Sequence, residues 1–319
     1  MPRPLKPFKT ASVPLGTEST VPASELKKPD WFKVRLSENE RYQTIEGLVK
    51  EHGLATVCRE ARCPNIYECW NAGTATFMLM GEECTRACKF CHVKTGNPKL
   101  WLDVEEPKKI ANSVKTLGLN YVVLTSVNRD DLPDEGAKHF ADTVREIKNL
   151  NPEILVETLT PDFRRTREAA IQTMIDSGVN VLAHNIETVS RLVPSVRDAR
   201  CRHEISLNYH RIAKQLKSDM ITKSSIMMGL GETNDEVLEA MHELREADVD
   251  ILTLGQYLQP TKNHHPVFRY VHPDEFKMLE QKGLEMGFKF VASGPMVRSS
   301  YRAAEFFIEK MARERVAAN

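Results

Sequence analysis

From Ala75 onward the chain alternates short apolar runs with amphipathic stretches, and few architectures accept that rhythm. The runs are Thr76–Met80, Tyr121–Thr125, Ile154–Leu159, Val179–Asn185, Ile221–Met228, Ile251–Leu258 and Lys289–Ala292. Most lack the polar alternation of a half-exposed strand, as expected where both faces are covered. Between them Pro107–Leu117, Glu135–Leu150, Arg164–Ser177, Glu204–Leu216, Asn234–Ala247 and Pro273–Met286 carry helical periodicity. Pro107 and Pro273 suit first helical turns, and Gly118, Gly178 and Gly287 suit helix ends. A repeated strand–helix–strand order implies an α/β fold with a parallel sheet and right-handed crossovers. Six or so such units favour a sheet curved towards a barrel.

Composition narrows the partners. Lys plus Arg and Asp plus Glu both number 44, so no net field draws the chain to nucleic acid or anionic lipid. No apolar run approaches the roughly 18 residues of a membrane span. The first 30 residues hold six prolines and little periodicity, and read as a flexible leader. Arg3, Lys6 and Lys9 precede any acid there, but the prolines disfavour the amphipathic helix of a transit peptide. Without a signal-peptide core the expected compartment is the cytoplasm, where thiols stay reduced and clustered cysteines bind metal. The expected division is leader 1–30, a cysteine-bearing segment 31–74, a catalytic domain 75–302 and a C-terminal helix 303–319. The last carries Phe306, Phe307, Ile308 and Met311 for packing.

Six of the seven cysteines form two triplets: Cys58, Cys63 and Cys69, then, after fourteen intervening residues, Cys84, Cys88 and Cys91. Each triplet is one thiolate short of the usual four-cysteine iron–sulfur or zinc set. The second follows the first strand, at the end of the sheet where α/β barrels build active sites. Three thiolates there can hold three corners of a [4Fe–4S] cube and leave one iron open. A zinc site with His92 as fourth ligand is the alternative, but His92 adjoins Cys91 and is poorly disposed to close a tetrahedron. Cys201 lies in a basic stretch and reads as a spectator thiol. His265 and His272 read as loop histidines.

The C-x3-C-x2-C spacing at Cys84, with Ser225–Glu232 (S-I-M-M-G-L-G-E), resembles the radical S-adenosylmethionine superfamily. The first triplet (C-x4-C-x5-C), the Arg298-Ser299-Ser300-Tyr301 tail and segments such as Val156–Phe163, His184–Val189 and Leu254–Thr261 narrow the resemblance to the lipoyl synthase family, over most of residues 31–302. This likeness implies a partial (β/α)6 TIM-like barrel with an N-terminal iron–sulfur segment and a C-terminal extension. It implies one [4Fe–4S] cluster on Cys84, Cys88 and Cys91, and an auxiliary one on Cys58, Cys63, Cys69 and Ser300, with Ser299 the lesser choice for the serine. A hard serine oxygen holds iron weakly in such a cluster. Asn185 and Glu187 would bind the ribose of S-adenosylmethionine, Thr125 and Ser126 its polar end, and Met227 and Gly229 its adenine. The T-x-x-H-x-P-V-x-R-Y pattern also aligns His264 with a recurring histidine.

The reaction so implied is insertion of two sulfur atoms, at C6 and then C8, into an octanoyl chain on a lysine of a lipoyl carrier protein. The auxiliary cluster would supply the sulfur, and two S-adenosylmethionine molecules would be consumed per lipoyl group. Implied partners are lipoyl domains of 2-oxoacid dehydrogenase E2 subunits, the glycine cleavage H protein, an electron donor and an iron–sulfur carrier. The chain departs from the family pattern at Asn128, Glu135, Arg165 and Asp198–His203, the last bearing on docking more than on chemistry. Rival readings are another radical sulfurtransferase or methylthiotransferase, such as one acting on tRNA, and an electron-transfer or iron–sulfur carrier protein. Balanced charge and no evident RNA-binding module oppose tRNA; open coordination sets oppose electron transfer alone.

Overall fold

In the computed structural model the described residues are 27–32, 38–60, 63, 65–71, 76–119 and 121–300. The leader's residues 1–26 and the expected helix over 303–319 lie outside them.

One eight-stranded sheet organises the described chain. Its strands are β1 (Ala55–Thr56), β2 (Thr76–Leu79), β3 (Tyr121–Ser126), β4 (Leu155–Leu159), β5 (Val181–Ala183), β6 (Ile221–Met228), β7 (Ile251–Gln256) and β8 (Phe290–Gly294). They lie in that order, β2 to β8 all parallel and β1 antiparallel on the β2 edge. The N-terminal cysteine segment therefore contributes an edge strand to the sheet itself. It also holds three helices: α1 (Glu40–Glu51), α2 (Val57–Glu60) and α3 (Ile66–Asn71).

Six crossovers join the parallel strands: α4 (Glu106–Thr116), α5 (Ala137–Leu150), α6 (Arg167–Ile175), a β5–β6 connection with α7 (Val193–Val196) and α8 (His203–Leu216), α9 (Asn234–Glu246), and α10 (Pro273–Glu285). The order is linear and open, which makes this a partial (β/α)6 TIM-like barrel. Pro107 and Pro273 stand in the first turns of α4 and α10. Gly118, Gly178 and Gly287 have φ of 58°, 87° and 94°, the left-handed turn that ends a helix.

Strand alternation divides the core. Val122, Leu124, Val156 and Leu182 pack outward against Val114, Phe140, Val144 and Ile171 of the helices. Tyr121, Val123, Val181, Ile221 and Ile251 fill the concave interior. Above that plug, Lys223 Nζ donates to both oxygens of Glu157 at 2.7 and 2.9 Å, and the Tyr121 hydroxyl donates to Glu157 as well. The floor is thus closed, and only the C-terminal mouth remains for chemistry. Among the described residues no helix is long and apolar enough to cross a membrane.

Candidate active site

The strand ahead of the second triplet stops at Leu79, one residue earlier than the apolar run. Met80 and Gly81 both adopt left-handed backbone (φ 68° and 88°) and turn the chain into the cysteine loop. That strained corner is fixed from outside: Met80 N–H donates to Glu106 Oε2 at 2.9 Å, and Arg129 Nη1 donates to the Met80 carbonyl at 3.3 Å.

The loop itself is pinned by ions and backbone. Arg86 is buried and forms two forked pairs, with Asp130 (2.9 and 3.0 Å) and Asp162 (2.7 and 2.9 Å). Thr85 N–H donates to Asn128 O at 3.0 Å, Ala87 N–H to Asp198 Oδ2 at 2.9 Å and Lys89 N–H to Val196 O at 2.8 Å. His264 Nε2 lies 3.1 Å from the Cys91 carbonyl, with Thr261 Oγ1 on its other nitrogen at 2.8 Å. His264 therefore anchors the loop backbone. His92 directs Nδ1 to the Glu60 carbonyl at 3.1 Å. Glu60 ends α2, which carries Cys58, so this bond ties the two cysteine segments together.

The thiols have the surroundings that iron ligands need. Cys84 Sγ accepts from Asn128 N–H at 3.3 Å and Arg86 N–H at 3.5 Å, and Cys88 Sγ accepts from Asp198 N–H at 3.3 Å. Such bonds tune cluster sulfurs. Burial pushes Cys91 up to about 11, with Cys84 and Glu187 adding to the rise, and pushes Cys58 up to about 11, with Cys63 adding. A buried thiol of that kind stays protonated until a metal takes the proton's place. Cys63 is also raised by burial, while Arg298 opposes the shift. Beside it Arg298 Nη2 and Asn65 Oδ1 are buried with no hydrogen-bond partner among the described residues. These features fit an iron–sulfur group at each triplet. Among the described residues no three His, Cys, Asp or Glu side chains gather tightly enough for a single metal ion; a cubane puts each thiolate on a different iron.

The tail reaches this site. Asn65 Nδ2 donates to Met296 O at 2.6 Å. A β-carbon on Gly255, at the end of β7, would lie 2.0 Å from the Val297 carbonyl, so glycine there lets the turn close on the mouth. Ser299 and Ser300 follow Arg298 directly, both half-buried.

Asn185 and Glu187 leave the end of β5 on the mouth side. Asn185 Nδ2 donates to Glu187 Oε1 at 3.1 Å, and burial raises the Glu187 carboxyl above its ordinary value. Met227 is half-buried on the inner face of β6, in register with Gly255. Thr125 spends its hydroxyl on Leu159 O at 3.0 Å, whereas Ser126 Oγ is buried with no partner among the described residues. Gly229 (φ 91°) is spoken for by packing: a β-carbon would meet Gln256 Nε2 at 2.2 Å and Arg269 O at 2.4 Å. Its N–H and that of Leu230 donate to Glu232 at 2.6 and 2.8 Å.

Sequence reasoning missed the Arg86 network, whose only signal is an arginine inside the cysteine motif. Its reading of Cys201 as a spectator thiol did not anticipate where the fold places that sulfur. Cys201 is buried against Cys88, and their shared hydrogen bond holds Cys201 down, to about 6, with Arg197 and Arg86 assisting, and Cys88 up. Glu135 and Arg165 meet each other: Arg165 N–H donates to Glu135 Oε2 at 2.9 Å, and its guanidinium to the Asp130 and Leu132 carbonyls at 2.8 and 2.6 Å.

Comparison with known proteins agrees with this geometry. The model of the radical SAM superfamily matches residues 78–244. Lipoyl synthase of Halorhodospira halophila is 57% identical over 277 residues, covering 87% of this chain and 83% of that protein. Lipoyl synthase of Thermus thermophilus is 55% identical over 282 residues, covering 88% and 87%. Among solved structures, methylornithine synthase superposes with a TM-score of 0.51 at 15% identity, over 81% of this chain and 79% of that one. The [FeFe]-hydrogenase maturase of Carboxydothermus hydrogenoformans gives 0.52 at 12%, over 85% and 78%. The distant pair speak to fold alone. The bacterial relatives say more: this chain belongs to the lipoyl synthase family of the radical S-adenosylmethionine superfamily.

Proposed function

We propose that the chain inserts two sulfur atoms, at C6 and C8, into an octanoyl group carried on a lysine of a lipoyl carrier protein. The observation that carries this reading is the contact between the two segments that bear the incomplete thiol sets: His92, next to Cys91, bonds to Glu60 of the Cys58 helix. A carbon radical is too reactive to travel, so the sulfur it takes must lie within contact of where it forms.

In this reading Cys84, Cys88 and Cys91 would hold a [4Fe–4S] cluster that binds S-adenosylmethionine, and Cys58, Cys63, Cys69 and Ser300 would hold the auxiliary one. When bound, these groups supply reductive cleavage of the sulfonium and sulfide for insertion. The chain's own side chains do the rest. Glu187, oriented by Asn185, accepts from ribose hydroxyls. Ser126 offers its unused hydroxyl to the methionine end. Met227 lines the pocket with apolar surface, and the packed floor beneath Lys223 keeps water from entering from below. Gly229 serves the adenine side indirectly, by letting the β6 end close on Gln256. The substrates would be lipoyl domains of 2-oxoacid dehydrogenase E2 subunits and the glycine cleavage H protein. An electron donor would reduce the clusters and an iron–sulfur carrier would rebuild the spent one.

The test is mass spectrometry of an octanoyl-lysine peptide incubated with reduced, reconstituted full-length protein and S-adenosylmethionine. A gain of two sulfur atoms is expected. Cys58→Ala should still release 5′-deoxyadenosine while leaving the peptide without sulfur, and sulfur insertion by that variant would refute the sacrificial role of the auxiliary cluster. Ser300→Ala should lower auxiliary iron; full occupancy would move that ligand to another residue.

A further inference from the structure

Cys201 belongs to neither triplet, yet the fold delivers its thiol to one of them. The turn from Asp198 to Cys201, closed by Cys201 N–H donating to Asp198 O at 2.8 Å, wraps Cys88. Asp198 N–H donates to Cys88 Sγ at 3.3 Å, and the Cys201 and Cys88 thiols are hydrogen-bonded to each other. Behind Cys201, Arg86 Nη1 donates to its sulfur at 3.3 Å. Cys88 is partly buried and Cys201 is 6% exposed. Two thiols held against each other, one of them also facing a guanidinium, are the arrangement of a pair that can close on itself by exchange.

We propose that Cys88 and Cys201 form a disulfide in the iron-free chain, a modification that joins one cysteine of the second triplet to the thiol outside both. One thiol of the pair exchanges with a low-molecular-weight disulfide, giving a mixed disulfide and releasing one small thiol. Its neighbour then attacks that protein sulfur and expels the second small thiol. Cys88 and Cys201 together give up two protons and two electrons, and the small disulfide takes both up. Because the two sulfurs touch, the second exchange is intramolecular and outpaces pairing with more distant cysteines. The consequence rests on Cys88 being a cluster ligand: the oxidised chain cannot load that site, Cys88 is shielded from irreversible oxidation, and reduction restores it.

The experiment uses full-length iron-free protein incubated with glutathione disulfide, alkylated, and mapped by mass spectrometry without reduction. The Cys88–Cys201 link should be the dominant one within the chain. Reconstituting the oxidised protein should give about four irons per chain, against about eight after dithiothreitol. In Cys201→Ser, Cys88 should be recovered as its glutathione adduct, unlinked within the chain. Cys88 joined to Cys84 or Cys91, or Cys201 fully alkylated while Cys88 is oxidised, would overturn the proposal. The ligand assignment is checked separately by the iron content of unoxidised Cys88→Ala, so the two ideas fail independently.

Discussion

At the scale of single residues the site depends on side chains that would never touch substrate. Arg86 sits inside the cysteine motif, and its fork is matched by Asp130 and Asp162. Lysine keeps the charge and loses the bidentate geometry, so Arg86→Lys should cost about 2–3 kcal/mol of stability. It should also lower iron uptake at Cys84, Cys88 and Cys91; denaturant unfolding and iron analysis read the two effects. Which cysteines are spaced as ligands was legible, because spacing is a property of the chain. The partners of Arg86 were not, since Asp130 and Asp162 come from different strand ends, 44 and 76 residues away. Glu135 and Arg165 proved to be each other's partners for the same reason.

Elements act through how closely they approach. The turn at Pro295–Val297 reaches the cysteine segment only because Gly255, next to last in β7, has no side chain. Gly255→Ala should push the Val297 carbonyl away, destabilise the protein by about 1–3 kcal/mol, and reduce auxiliary iron more than iron at the second triplet. Spectroscopy that separates the two clusters checks the order of loss. At the opposite end of the strands, Asp250 joins four elements, accepting from Lys214 Nζ (2.7 Å) and Thr222 N–H (2.9 Å) on one oxygen and Lys289 Nζ (2.7 Å) on the other. Although burial opposes it, these partners hold its carboxyl below the ordinary range. A depressed folded value stabilises above the ordinary carboxylate range and is lost as pH falls through the depressed one. Asp250→Asn should therefore be clearly less stable than the parent at pH 7, and the gap should narrow in acid. Equal gaps at both pH values would show that charge is not the cause. Helix and strand limits were legible to within a few residues here, from prolines, glycines and apolar period. The three helices of the cysteine segment were not assigned, since α2 and α3 span only four and six residues.

For the whole molecule, the barrel floor decides where chemistry can occur. Lys223 and Glu157 are 2% and 1% exposed and meet inside the sheet from β6 and β4. Removing one charge strands the other, so Lys223→Met should cost about 3–5 kcal/mol, and Lys223→Met with Glu157→Leu should recover most of it. A double-mutant cycle by chemical denaturation measures the coupling. The sequence by itself determined the strand–helix rhythm, and hence a parallel curved sheet, along with the two incomplete thiol sets. Both are local: periodicity and spacing are written along the chain. Only the tertiary structure decided that the two cysteine segments are tied through His92 and Glu60, that Arg298 of the tail, whose serine the family resemblance assigns to this set, stands beside Cys63, and that Cys201 lies against Cys88. Those contacts join residues 32 to 235 positions apart, and no pattern along the chain encodes them. They follow from which strand ends converge when the sheet curves.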